Sequence, residues 1–392
     1  VKKTDQMMFV LATGAAGACA TVQGVCCVCQ TACCCGHSLT GAGHSASLWV
    51  LYITLLLAML GKAWGGTIST SLGSTAWGED FVVERVMLAS VIFFVAVALI
   101  TAFFPRLHDK AWGVKFALFL SLIVGSAFLP TDFLENQLHH ELYNVGAWVF
   151  LVLQSVFLVD ASWSFNDKLA DNEQGRNILL ILDAVLCTTS LIGYWQAFQF
   201  QVQSMVASAS VIIVVGVTIC QLCSSDDRGC LLSSAVLACY CAYLNIAGFS
   251  YVQSGAPPTA DVIAPGIAII ILSTALAALQ FIPCGSPWDE GLGSRSALVR
   301  KVNGLPTSQE YGSLNAHPRN REDGHGASGW SEPVFTYVTM ALAALCASRI
   351  LVGWDNASST EVVWLHVSAG WVSCSLYLWA LMAPKICPNR EF

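Results

Sequence analysis

Apolar runs of about twenty residues recur along this 392-residue chain, and they decide what it can fold into. A hydrocarbon layer about 30 Å thick is crossed by about 20 residues of helix. The runs fall at 45–61, 81–104, 112–130, 143–165, 177–200, 204–223, 230–251, 262–282, 334–353 and 362–383. Only 11% of the residues are charged and 55% are hydrophobic. An ordinary soluble domain is roughly a quarter charged, and a soluble fold of this length has no interior large enough for so much apolar surface. Helices rather than barrel strands are implied, because in lipid each backbone amide must be satisfied within its own segment. Barrel strands alternate over about ten residues, and these runs are longer and continuously apolar. The expected fold is an all-α integral membrane protein of about ten transmembrane helices.

Charge tests that count. Ten spans put both chain ends and the even-numbered connections on one face. That face then carries Lys2, Lys3, Arg106, Lys110, Lys168, Arg176, Arg228 and every basic residue of the long connection and the tail. The opposite face carries only Lys62, and Arg85, Lys115 and Arg349 fall inside spans. Basic residues favour the cytosolic side, so both ends are expected there. Trp64, Trp77, Trp112, Trp163, Trp354 and Trp364 mark several span ends, as an interfacial belt would.

Four regions follow. Residues 1–44 form a cysteine-rich N-terminal segment, cytosolic or on the membrane surface, and 45–282 hold helices 1–8. Residues 283–333 are a cytosolic polar loop, and 334–392 hold helices 9 and 10 with a short tail. The stretch 137–172 has no proline and one glycine, Gly146, so helix 4 is expected to run past the lipid and to tilt or project. Within the polar loop, Tyr311-Gly312-Ser313-Leu314 has the form of a sorting motif, a pattern that chance also supplies. No cleavable signal peptide is evident, and the chain opens with Val1.

Soluble-enzyme signatures are missing: there is no Gly-rich phosphate loop, no HExxH and no nucleophile elbow. No catalytic set, metal or cofactor is expected, and with no basic stripe the net charge of −7 gives no reason to expect nucleic acid. Ionisable groups inside spans are costly and therefore informative. Lys115, Asp160 and Asp183 lie near the cytosolic ends of helices 3, 4 and 5, where Lys115 and Asp160 have the placement to pair with Asp183 as a third member. Arg85 beside Glu84, Arg349, and His366 with Glu361 lie near the other face. Each set reads either as a polar or headgroup site or as snorkelling side chains and ion pairs that fix register. Cys26, Cys27, Cys29, Cys33, Cys34 and Cys35 are acylation candidates. Zinc binding and plain interfacial packing are the alternatives for them, and a cytosolic setting argues against disulfides. Asn356 begins a glycosylation sequon close to the membrane, a weak signal.

Several motifs then point one way. The C-terminal run Val363-Trp364, Trp371, Leu376-Tyr377-Leu378-Trp379, Ala383-Pro384 and Asn389-Arg390-Glu391-Phe392 resembles the end of the serine incorporator family. Trp112, Lys115-Phe116, Gly125, Phe128 and Pro130 are similar to its third helix. Val145-Gly146, Gln154 and Leu158-Val159-Asp160 are similar to its fourth, and Leu231-Leu232, Ser234, Val236, Tyr240 and Tyr243-Leu244 to its seventh. Trp163 and Phe165 depart from the family pattern after helix 4, which marks a divergent member. The resemblance implies two bundles joined by a long tilted helix 4. It also implies binding of membrane phospholipids, with a role in serine-derived lipid (phosphatidylserine, sphingolipid) synthesis or in transbilayer lipid movement. Lys115, Gln154, Asp160 and Asp183 are the lipid or polar-groove candidates, in an endomembrane or the plasma membrane. The alternative is a structural or assembly subunit of a larger membrane complex or a homo-oligomer. An amino-acid carrier ranks lowest, because no pair of broken spans is seen.

Overall fold

The computed structural model describes residues 42–72, 79–104, 111–129, 137–170, 173–199, 204–223, 230–254, 260–280, 332–353 and 359–386. They form α1 (Ala42–Leu72), α2 (Glu79–Phe103), α3 (Trp112–Ser126), α4 (Gln137–Ala170) and α5 (Glu173–Gln199). The order continues with α6 (Ser204–Leu222), α7 (Leu231–Ser254), α8 (Ala260–Gln280), α9 (Glu332–Val352) and α10 (Ser359–Ile386). Among the described residues there is no strand. Eight of the helices are long and apolar enough to cross a membrane, which makes the chain an integral membrane protein.

Some of the expected helix edges need correcting. The span expected at 112–130 is helical only to Ser126, and the chain leaves through short-range bonds from Ala127 to Val124, Phe128 to Gly125 and Leu129 to Ser126. Pro130 follows, and a residue before proline is pushed out of the helical region. α8 runs 21 residues, Ala260–Gln280, within two residues of its expected bounds. Conversely, α1 continues to Leu72 and α10 to Ile386, beyond the apolar runs that announced them. At the end of α9, Gly353 takes φ 104° and its N–H bonds the Arg349 carbonyl, a left-handed cap that suits glycine.

Side-chain pairs at two levels fix the helix directions. Thr54 meets Ser90 and Lys62 pairs with Asp80, so α1 and α2 are antiparallel. Arg85 reaches the carbonyls of Ala127 and Leu129 while Phe93 packs on Phe119, which sets α3 against α2. On α4, His140 meets Arg349 and Phe157 meets Phe335, an antiparallel pairing with α9. Trp148 with Ser368 and Ser155 with Ser373 make α4 and α10 parallel. Ser210 with Trp371 and Gln221 with Tyr377 do the same for α6 and α10. Each of these pairings is what strict alternation of odd and even helices requires.

The helices divide into two packed sets. One comprises α1, α2, α3, α8 and α9, and the other α5, α6, α7 and α10. The principal contacts between the sets pass through α4, which packs on α8 and α9 from the first set and on α5, α7 and α10 from the second. Its 34 residues rise about 51 Å at 1.5 Å each, well over the hydrocarbon thickness, so α4 must tilt or project. This is the long connecting helix expected from sequence.

Candidate functional site

The joint between the two sets is built on α4 by hydrogen bonds spaced along its length. Near its start, one guanidinium nitrogen of Arg349 donates to the His140 carbonyl at 3.1 Å and to ring Nδ1 at 3.0 Å. Arg349 also lies 5.5 Å from the Tyr143 ring centroid. One turn on, Gly146 lets α9 approach so closely that a Cβ there would meet Leu345 Cδ1 at 2.3 Å. Trp148 Nε1 donates to Ser368 Oγ at 3.0 Å, and Ser155 Oγ to Ser373 Oγ at 2.7 Å, both on α10. The Ser162 and Ser233 hydroxyls are 2.7 Å apart, tying α4 to α7. In a membrane, where apolar contact adds little specificity, such polar links are what pin one helix to another.

Gln154 is the centre of this joint. It is 2% exposed; its Nε2 donates to Ser273 Oγ on α8 at 3.2 Å, and its Oε1 accepts from Tyr240 on α7 at 3.0 Å. Tyr240 donates as well to the Leu151 carbonyl at 2.7 Å. One side chain therefore contacts both sets, and Gln154 is a connector between helices rather than part of an open surface.

One face of α4 is turned away from both sets. Leu142, Val145 and Val156 on it are exposed, with Val149 and Leu153 half-buried between them. The stripe reaches Asp160 and Ser164, also half-buried, about three and about two turns before the end of α4. The spacing of three and four residues keeps these positions on one side of a helix. An apolar strip that ends on a carboxylate matches the order of groups in a phospholipid, chain first and polar head last.

The other sequence candidates sit elsewhere. Lys115, on the buried side of α3, holds its ammonium 4.5 Å over the Trp112 ring. Its helix packs on α2 and α1, whereas Asp160 belongs to α4. Asp183 is on the buried face of α5, against α7. Near the opposite end, Arg85 supplies the carbonyls that finish α3 with a cation, as a helix C-terminus favours. His366 directs Nδ1–H at the Val362 carbonyl of its own helix, 2.9 Å away. These two groups support packing rather than a headgroup path. Cys26, Cys27, Cys29, Cys33, Cys34, Cys35, Asn356 and the Tyr311 motif lie outside the described residues.

Sequence reasoning missed the serine links. Their signal was present as serines on the inward sides of two apolar helices, at 155 and 162 on α4 and at 368 and 373 on α10. A hydroxyl facing into a bundle needs a partner.

These features define a multipass membrane protein of two helical sets joined through one long central helix. Residues 25–256 and 302–390 match the model of the family described as serine incorporator (Serinc), and the chain belongs to that family. It is 23% identical to a probable serine incorporator of Monosiga brevicollis, covering 83% of this chain and 81% of the relative. It is 22% identical to serine incorporator 3 of Bos taurus, covering 79% of each.

Proposed function

We propose that this chain binds membrane phospholipids along the uncovered face of α4. The acyl chain would lie on Leu142, Val145 and Val156, with the headgroup at Asp160 and Ser164. The observation that carries this reading is the exposed to half-buried apolar strip of α4 that ends on a half-buried carboxylate. A carboxylate repels bare phosphate and attracts an ammonium, so headgroups that bear an amine are the favoured class. The relatives are named serine incorporators, and serine is a source of amine in headgroups of this class. Transbilayer movement, or delivery of serine-derived lipids, would rest on this binding step, because a polar group beside the strip lowers the cost of carrying a headgroup into hydrocarbon. An endomembrane or the plasma membrane fits such a role.

Binding is tested by native mass spectrometry of the chain released from mild detergent. The wild type should retain amine-bearing phospholipid, and Asp160→Asn should retain several-fold less. Equal retention by both proteins rejects the site. Movement is tested separately in liposomes carrying a quenchable lipid label, where a rate no higher than in empty vesicles rejects scrambling.

A further inference from the structure

Asp183 has no role in the lipid-binding reading above. It lies ten residues into α5, about 15 Å along the axis, and is only 9% exposed. Its Oδ1 is enclosed without a hydrogen-bond partner among the described residues. Around it, Leu179, Leu182 and Leu186 of α5 pack with Trp163 of α4 and with Leu232 and Val236 of α7. A carboxylate that keeps one enclosed oxygen unpartnered in such a seam is expensive, because nothing offsets the lost hydration of that oxygen.

Among the described residues of the helices packed on α5, the basic groups are Lys168 of α4 and Arg176 of α5 itself, both exposed near helix ends, while Asp160 of α4 is a second half-buried acid. From α7 the titratable neighbour is Cys230, which is close enough for Asp183 to act on it electrostatically. From α4, Asp167 acts on that same thiol and is itself acidic. α6 carries no charged residue, and its Cys220 is exposed. On α5 itself Arg176 is exposed and seven residues back, about 10 Å along the axis. Among the described residues no group of three or more metal-ligating side chains forms, whereas a hard cation takes several oxygens. The ligand that removes the charge without further donors is a proton.

We infer that Asp183 is a reversible proton-binding site within the membrane span, exchanging through the thiol and hydroxyl cluster at the start of α7. Cys230 Sγ lies 2.9 Å from Ser233 Oγ, and Ser233 Oγ lies 2.7 Å from Ser162 Oγ. These groups carry exchangeable hydrogens beside the seam, at the start of α7 and on α4. With the proton bound, α5 seats on α7. With the proton lost, a bare carboxylate in the seam favours separation, so the seat weakens as pH rises. α5 and α6 are the least enclosed of the eight long spans, with 22% of each buried, so α5 has little other packing to hold it.

The test treats the full chain in lipid vesicles with dicyclohexylcarbodiimide and maps the adduct by peptide mass spectrometry. The reagent adds a protonated carboxyl across its C=N bond and rearranges to an N-acylurea, so the whole reagent mass is gained and nothing leaves. Labelling of Asp183 should be at least about tenfold stronger at about pH 5 than at about pH 9, because the reagent adds only to a protonated carboxyl. Asp183→Glu should label and Asp183→Asn should not. No adduct at any pH overturns the proposal, as does labelling of equal extent throughout. Suppression by sodium chloride at fixed pH, without a pH response, assigns the site to a metal cation and overturns it too. The lipid experiments with Asp160→Asn read a different residue, so either reading can fail alone.

Discussion

Arg349, near the end of α9, donates from a single guanidinium nitrogen to both the ring Nδ1 and the backbone carbonyl of His140 at the start of α4. Arginine cannot accept a hydrogen bond, so the His140 Nδ1 must be the acceptor and the ring hydrogen must sit on Nε2. This contact fixes one end of the helix on which both sets depend.

Removing it should be costly. Arg349 is 3% exposed, and Arg349→Ala leaves two acceptors on His140 without their donor. The expected loss is about 2 to 3 kcal/mol, as for a hydrogen bond to a charged group. Thermal unfolding in lipid nanodiscs reads it, with Arg349→Lys expected to fall between the two. An unchanged midpoint in Arg349→Ala would mean that the clamp adds nothing.

Gln154 reaches one helix of each set through Ser273 and Tyr240. Gln154→Leu keeps the volume and removes both links, at an expected cost of about 1 kcal/mol, the scale of polar links between membrane helices. The double variant Gln154→Leu/Ser273→Ala should cost little more than the single one, because the two groups share one bond. Full additivity in denaturant unfolding would contradict the pairing.

At Gly146 the α9 side chain Leu345 fills the space that a Cβ would take. Gly146→Ala drives its new carbon into Leu345, which is buried, and overpacking of this kind costs about 1 to 3 kcal/mol. Adding Leu345→Ala should recover part of that loss. If the second substitution only deepens the defect, the close approach is misplaced.

Cys241 on α7 and Cys374 on α10 hold their sulfurs 3.6 Å apart. Iodine in intact membranes should convert this pair to a disulfide, taking two electrons and releasing two protons. The joined peptides, found after digestion, check the register of α7 against α10. Joining of Cys346 on α9 to Cys374 would contradict that register.

The spans and their alternation were legible because hydrocarbon forces long apolar runs and the cytosol-facing bias of basic residues counts them. Helix 4 was legible from the absence of a breaker between Gln137 and Ala170. The end of α3 was not, since apolarity continues through Phe128 and Leu129 while the backbone has already turned ahead of Pro130. Nor was the joint. Gln154 finds Ser273 119 residues away and Trp148 finds Ser368 220 residues away. Which buried polar group meets which depends on how the described helices all pack, and a single sequence carries no record of that. Lys115, Asp160 and Asp183 were grouped by depth alone; packing sets Lys115 on Trp112 in one set, Asp183 in a seam of the other, and Asp160 on the face of α4 that neither covers.

The most direct test of the lipid account is a density map of the full chain in nanodiscs of defined amine-bearing phospholipid. The account predicts one ordered lipid along Leu142, Val145 and Val156 with its headgroup beside Asp160, more strongly defined than lipid along the exposed side of α5. Density beside α4 no stronger than that surrounding shell would contradict it.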